Sequence, residues 1–239
     1  MSSDNTEYAS AVSKANSSDH RQTRPDPRNL VILPSSNYLL SNLSVIRDAK
    51  SSGPELTRSF KRVAAQIIAQ ACDYLPVQSF HGVTPTESAF EGVWQTTKVC
   101  GVSVLRAGAS FEEPLREAYN GPLSFGKILI QRDEKTCLPS LLYSKFPPKL
   151  HEQAILILEP ILATGGSICA AIDLILRQGV PEHNIIIINL ITSRRALEVV
   201  FGRYRNIRII TAAVDERLNS QCQLVPGVGD FGDRFYGTE

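Results

Sequence analysis

Two hydrophobic rhythms run through this chain. Short unbroken apolar runs read as buried strands, and apolar residues at three- and four-residue steps read as helix faces. From Lys98 onward the two alternate. Val99 to Leu105 is a strand, and a helix starts near Ser110 and runs through Leu115 to Tyr119, with Pro114 in or near its first turn. Lys127 to Gln131 and Leu141 to Tyr143 are strands, as is Ala154 to Leu158. Ile168, Ala171, Ile172 and Ile175 then mark one helix face, which Gly179 and Pro181 bring to a stop. Asn184 to Ile191 is apolar on both faces, as a central parallel strand should be. Leu197, Val200, Phe201 and Tyr204 give another helix face, and Ile207 to Val214 is the last long strand. This order predicts a doubly wound α/β fold on a mostly parallel sheet.

Ahead of that series, Leu30 to Leu33 reads as a short edge strand, and Asn37 to Asp48 carries helical spacing. Ser51-Ser52-Gly53-Pro54 is a break and a helix start. Leu56, Phe60, Val63, Ala64, Ile67, Ile68 and Ala71 form the clearest helix face, read as packing without chemistry. Leu30 to Tyr74 is expected to flank the sheet. Gln78 to Thr97, with Gly82, Pro85 and Gly92, reads as irregular or weakly paired strands, with Trp94 as a packing residue. The last stretch, Asp215 to Glu239, holds four glycines and a proline and is expected to be a loop, neither helix nor strand. Its Leu224, Val225, Phe231, Phe235 and Tyr236 argue against a merely disordered end. Residues 1–28 are polar and charged, and are expected to form a flexible tail whose deletion leaves turnover largely intact. Residues 29–239 then form a single domain.

Composition narrows the classes. The chain has 239 residues, 43% of them hydrophobic, with a formal net charge of +1, which suits one sizeable soluble core. So neutral a balance argues against broad nucleic-acid or membrane-surface binding. No apolar run approaches a membrane span, and no apolar signal region opens the chain. Cys72, Cys100, Cys137, Cys169 and Cys222 are scattered and odd in number, which reads as a reduced, cytoplasmic setting. His20, His81, His151 and His183 share no metal-ligand spacing.

The candidate chemistry centres on Ala154 to Arg177. A buried strand leads to Glu159 and Pro160, then Ile161-Leu162, then Ala163-Thr164-Gly165-Gly166-Ser167, then a helix entered at its N-terminus. The glycines allow close approach of the backbone, and N–H groups at the helix start suit a phosphate. The spacing is neither that of a P-loop nor G-x-G-x-x-G. An ordinary strand–turn–helix junction explains a Gly-Gly turn too; the acid at the strand end shifts the balance, since open α/β sheets bind ligands there.

Glu159 to Ser167, EPILATGGS, resembles the binding signature for phosphoribosyl pyrophosphate (PRPP) of the type I phosphoribosyltransferases, and in detail that of the uracil phosphoribosyltransferases, D-P-M-x-A-T-G-G-S. The family's aspartate is Glu159 here. Val104 to Gly108, VLRAG, resembles the family's pyrophosphate loop, which implies a PRPP role for Arg106 and makes an unusual dihedral or cis bond near Ala107 an expectation. Arg132 and the charged residues after it resemble R-x-E-E-T, with Lys135 at the second glutamate; the resemblance implies that Arg132 binds PRPP and that a mobile loop follows. A solvated hairpin tip remains the other reading of Asp133 to Lys135. Val225 to Arg234 resembles V-P-G-x-G-D-x-G-D-R, which implies that Leu224, Gly229, Asp230 and Phe231 hold uracil.

The resemblance covers roughly residues 30–239 and implies transfer of the phosphoribosyl group from PRPP to uracil, giving UMP and pyrophosphate. Arg106, Arg132 and Mg²⁺ carried by PRPP would neutralise the leaving group, Thr164 to Ser167 would hold the 5′-phosphate, and Glu159 the ribose hydroxyls. Asp230 would support the charged sugar, help hold the metal, or assist proton loss from uracil N1. The resemblance also admits a GTP activator and a homodimer or homotetramer. Two rival classes stand beside it: a silent homologue that senses PRPP or uracil, kept open by Glu159, and a nucleic-acid-binding regulator, disfavoured by the neutral charge.

Overall fold

The computed structural model describes residues 29–132 and 139–238. In chain order it forms β1 (Leu30–Ile32), α1 (Asn37–Arg47), α2 (Gly53–Cys72), β2 (Gln78–Val83), β3 (Ala89–Trp94), β4 (Val99–Leu105), α3 (Glu112–Ala118), β5 (Leu123–Arg132), β6 (Pro139–Lys145), β7 (Ala154–Leu158), β8 (Ile161–Leu162), α4 (Gly166–Leu176), β9 (Ile185–Ser193), α5 (Arg194–Arg203), β10 (Arg208–Asp215), β11 (Arg217–Leu218), β12 (Leu224–Val225) and α6 (Phe231–Tyr236). A 3-10 turn, Ala107–Phe111, joins β4 to α3.

The main sheet runs β1-β10-β9-β7-β4-β5-β6, with β8 also paired to β9. Its pairs are parallel except β5 with β6. The chain leaves β4 outward to β5 and β6, re-enters on the other side of β4 as β7, and continues outward to β9 and β10. The strand order therefore reverses between β4 and β7. The helices after those two strands go to opposite faces: Phe111 and Leu115 join one core, Ile168 and Ile172 the other. A crevice at the carboxyl ends of β4 and β7 follows from that divergence.

Each core has a sequence origin. All nine residues of β9 are buried, because helices cover both faces of the sheet at its centre. One layer is built by α1, α2 and α3, the other by α4 and α5. Helix α2 starts where the Ser52 N–H donates to the Glu55 carboxylate at 2.9 Å, with Pro54 in its first turn. Its Phe60 meets Phe111 edge-on at 4.9 Å and lies 5.0 Å from Phe231 and 5.4 Å from Phe235. One aromatic cluster thus ties the packing helix, the turn after β4 and the C-terminal helix together.

Three readings need correction or sharpening. The segment from Asp215 is not all loop: β11 pairs antiparallel with β12, and α6 is helical. Asp230 caps α6 by accepting the Asp233 N–H at 2.9 Å, and Phe231 and Phe235, one turn apart, bury against Phe60. Of the flanking N-terminal part, Leu30–Ile32 enters the sheet as an edge strand on β10, and only α1 and α2 flank it. Gln78 to Thr97 contains a paired two-stranded hairpin separate from the main sheet; Trp94 packs on Phe80 at 4.8 Å while staying half exposed. The expected tail, residues 1–28, and the expected mobile loop at 133–138 lie outside the described residues. No helix among the described residues is long and apolar enough to cross a membrane.

Candidate active site

The loops after β4 and β7 touch. Ser103 is level with Leu158 in the paired strands, so both loops leave the same edge. At Gly108 a Cβ would lie 2.1 Å from the Leu158 carbonyl oxygen, so no larger residue fits. The peptide bond between Leu105 and Arg106 is cis, at the place where an unusual backbone was expected. Below this turn Glu112 accepts from Ser103 at 2.5 Å and pairs with Lys127. Glu112 thereby ties α3 to β4 and β5.

The Glu159–Ser167 stretch is fastened mainly to β9. The Pro160 carbonyl accepts the Leu190 and Ile191 N–H groups at 3.0 Å each, and Ile161 and Leu162 pair with Ile191 and Thr192. Asn189 is fully buried. Its amide donates to the carbonyls of Glu159 (3.0 Å), Pro160 (2.9 Å) and Ile191 (3.2 Å), while its oxygen accepts from the Thr211 hydroxyl at 2.7 Å. Ser193 donates to the Ala163 carbonyl at 2.5 Å and caps α5 by accepting the Ala196 N–H at 2.8 Å. Leu162 and Ala163 are buried, and Glu159 is 9% exposed at the end of β7. The stretch therefore divides. Pro160 to Ala163 are pinned to β9, and Thr164-Gly165-Gly166-Ser167 forms the turn into α4. Gly165 has φ +85°, and its missing side chain leaves room for Val199 of α5, 3.1 Å from where a Cβ would stand.

Arg106 meets the C-terminal segment. Its guanidinium lies 2.6 Å from the Asp233 carboxylate and donates to the Thr238 hydroxyl at 3.1 Å. The Tyr236 hydroxyl donates to the Arg106 carbonyl at 3.3 Å. Asp233 also accepts from Thr238 at 2.6 Å. The Thr238 hydrogen bond, and then Arg106, hold the Asp233 carboxyl below its ordinary range, and Asp233 in turn raises the Arg106 guanidinium, with Asp230 a lesser contributor. Asp230 is exposed at the head of α6, close to this pair: a Cβ on Gly232 would be 3.3 Å from Asp230 Oδ1 and 3.9 Å from the Arg106 guanidinium.

Leu224 in β12, Gly229 in the turn that follows and Phe231 at the start of α6 belong to a segment held from several sides. Leu224 and Phe231 are buried in the core beneath α1 and α2. Gly227, at φ +63°, brings its backbone so near the Leu224 carbonyl that a Cβ would stand 2.2 Å from the oxygen. Gly229 also has a positive φ, +71°, and the Val225–Pro226 bond is cis. Asp215 accepts the Gly227 N–H at 2.9 Å and a two-pronged bond from Arg47, at 3.0 and 2.7 Å, while Arg47 also donates to the Gly227 carbonyl at 2.9 Å. Arg234 reaches three carbonyls, those of Val228 (2.6 Å), Ile46 (2.7 Å) and Asp48 (2.7 Å).

The structure brings the Arg106 turn, the Glu159–Ser167 stretch and the head of α6 to one sheet edge. Arg132 ends β5, next to β4 at the same edge. Sequence reasoning missed Asn189, Ser193, Asp233, Arg47, Asp215 and Arg234. Asn189 left a signal, a lone amide in an otherwise apolar strand, and Asp233 and Arg234 stand inside the quoted V-P-G-x-G-D-x-G-D-R pattern. Among the described residues no group of three or more His, Cys, Asp or Glu side chains is placed to hold a metal ion.

Comparison with known proteins gives a consistent result. A family model described as uracil phosphoribosyltransferase matches residues 33–238. The chain is 38% identical over 213 residues to a uracil phosphoribosyltransferase of Dictyostelium discoideum, covering 89% of this chain and 98% of that one. It is 40% identical over 209 residues to a uracil phosphoribosyltransferase of Saccharomyces cerevisiae, covering 87% and 96%. Among solved structures, the AQ2163 protein from Aquifex aeolicus superposes with a TM-score of 0.78 at 26% identity, covering 88% of this chain and 99% of that one.

Proposed function

The chain belongs to the uracil phosphoribosyltransferase family, and from that premise we propose that it transfers the 5-phosphoribosyl group of PRPP to uracil, releasing UMP and pyrophosphate. The observation that carries the reading is the meeting of three motifs at the switch point between β4 and β7. Each motif alone has an ordinary structural explanation; their meeting in one crevice does not.

In the reaction the bond from ribose C1′ to the pyrophosphate oxygen breaks. Uracil N1 forms the new bond to C1′ and loses its proton. The transition state carries positive charge on the sugar and negative charge on the leaving group, so preorganised charges supply most of the rate. Arg106 and Arg132 supply positive charge to the pyrophosphate. Arg106 is already oriented by Asp233 and Thr238, so its guanidinium needs little reorganisation when the leaving group develops charge. Thr164 to Ser167 hold the 5′-phosphate with hydroxyls and N–H groups at the head of α4. Glu159 takes the ribose hydroxyls. Mg²⁺ accompanying PRPP would add neutralisation of the charge on the leaving pyrophosphate. Among the described residues no group of three ligands would hold it, and Asp230 is the carboxylate that would assist.

Uracil is read by the main chain of Leu224, Gly229, Asp230 and Phe231. An N–H aimed at uracil O4 would meet the amino group of cytosine instead, leaving a buried donor unpaired. A cytoplasmic enzyme, assembled as a homodimer or homotetramer and activated by GTP, completes the proposal. Pyrophosphate release from PRPP with Mg²⁺ tests it: uracil should support release, while cytosine and hypoxanthine should not. Calorimetric binding of PRPP and uracil with no release would establish a silent binding protein instead, and sedimentation with and without GTP tests assembly and activation.

A further inference from the structure

Helix α5 begins with two arginines, Arg194 and Arg195, in its first turn. A helix start carries positive partial charge, so cations there are unfavourable unless an anion answers them. Arg194 has its answer: Glu216 accepts from it at 2.5 and 2.6 Å. The side chain of Arg195 is exposed and makes no ion pair among the described residues.

Arg195 stands beside the turn at Thr164–Ser167. Val199 is the residue packed on Gly165, and Ala196 lies 3.4 Å from the position of a Gly165 Cβ. Arg195 is four residues before Val199, so it occupies the same helix face one turn nearer the helix start. Helical side chains lean toward the N-terminus. Ser193, which caps α5, also donates to Ala163 and fixes that start against the loop. An arginine on this face is therefore carried out over the glycine turn, toward the sheet edge where a ligand of that turn sits. The start of α4 at Gly166 follows directly on Gly165, so the N-termini of α4 and α5 lie close together at this edge.

We propose that Arg195 is a further binding residue for the 5′-phosphate, adding a fixed cation to a turn that otherwise offers only hydroxyls and N–H groups. The inference rests on the function proposed above. A guanidinium keeps its charge at any working pH and matches phosphate oxygens with paired N–H groups. Its contribution falls on the phosphate end of PRPP and UMP and leaves the pyrophosphate end, held by Arg106 and Arg132, untouched.

Calorimetry with ribose 5-phosphate and, separately, inorganic pyrophosphate as probes tests this on the full chain. Arg195→Ala should weaken ribose 5-phosphate at least fivefold and leave pyrophosphate affinity and thermal midpoint unchanged. In turnover, the KM for PRPP should rise while the KM for uracil stays put. Arg205→Ala, which removes the same charge just beyond the other end of the helix, should change none of these. Unaltered ribose 5-phosphate binding in Arg195→Ala would overturn the proposal, as would an equal loss in Arg205→Ala. If the wild-type protein neither binds ribose 5-phosphate nor releases pyrophosphate, the proposed function falls and this inference falls with it.

Discussion

The Glu159–Ser167 loop and the C-terminal segment from Asp215 to Thr238 lie at one site but are held by different means. The first is continuous with the sheet. Its anchors are backbone pairings to β9 and buried polar groups one strand away. The second is joined through side chains: Phe231 and Phe235 on Phe60, and charged groups reaching far along the chain, with Arg47 to Asp215 spanning 168 residues and Arg234 to Ile46 spanning 188. A loop fastened by a ladder shares the stability of the central sheet. A segment joined to the rest mainly through side chains has its own opening equilibrium. On the proposed function, the enzyme grips the phosphate rigidly and keeps the base side free to move independently.

Removing the strongest tether should break that contrast most widely. Asp215 is 4% exposed, and its partner Arg47 24%. Asp215→Ala leaves a partly buried guanidinium without its carboxylate and frees the Gly227 N–H, a loss of about 3–5 kcal/mol at the buried end of such pairs. Denaturant unfolding should report the lost stability. The sharper test is selectivity: KM for uracil should rise steeply while ribose 5-phosphate still binds. Equal loss of both ligands would mean that the two regions are not separately held.

The converse variant is Asn189→Ala. Its amide donates to the Glu159 and Pro160 carbonyls of the Glu159–Ser167 loop and to the Ile191 carbonyl of β9. Removing it should cost about 1–3 kcal/mol for buried groups left without partners, and should weaken ribose 5-phosphate more than uracil.

This contrast also explains what could be read in advance. The strand–turn–helix at Ala154 to Arg177 is written in contiguous residues, as is the doubly wound order of elements, so hydrophobic period and glycine position reveal both. The C-terminal helix was hidden. It has six residues, includes a glycine, and gains its order from Phe60 in α2 and from Asp230 as its cap. Arg47, Asp215 and Arg234 look like surface charges in sequence, because nothing local says that each will meet a partner well over a hundred residues away. Asn189 was hidden otherwise: the apolar run around it dominates the pattern and masks one polar residue.

Between the regions sits Arg106, which opens the turn after β4 yet is held by Asp233. Arg106→Ala should lower turnover at least about tenfold, the loss of one good transition-state contact. Asp230→Asn should do the same, and it is the more informative change. Asparagine caps a helix about as well as aspartate, so α6 should survive and only the charge be lost. Full activity in Asp230→Asn, measured by pyrophosphate release, would leave Asp230 a cap and nothing more.

The smallest expected effect is a pH dependence confined to one region. Asp233 is held below its ordinary range by Thr238 and Arg106. A carboxyl depressed in the folded state contributes stability that is present above its unfolded pKa, about 3.9, and that disappears as pH falls through the folded value. The Asp233 carboxylate meets Arg106, in the turn after β4, and Thr238, just past α6, and neither partner lies in α4. Acidification below about pH 4 should therefore loosen residues 231–236 before residues 166–176. Amide exchange gives the comparison directly, as the ratio of protection in α6 to that in α4, which cancels the common effect of pH on intrinsic exchange. That ratio should fall with acid in the wild-type protein. Asp233→Asn removes the titrating group and should flatten the fall, at the cost of lower protection in α6 at neutral pH. If α4 loosens in step with α6, the C-terminal segment opens only when the sheet does, and the independence of the two regions is lost.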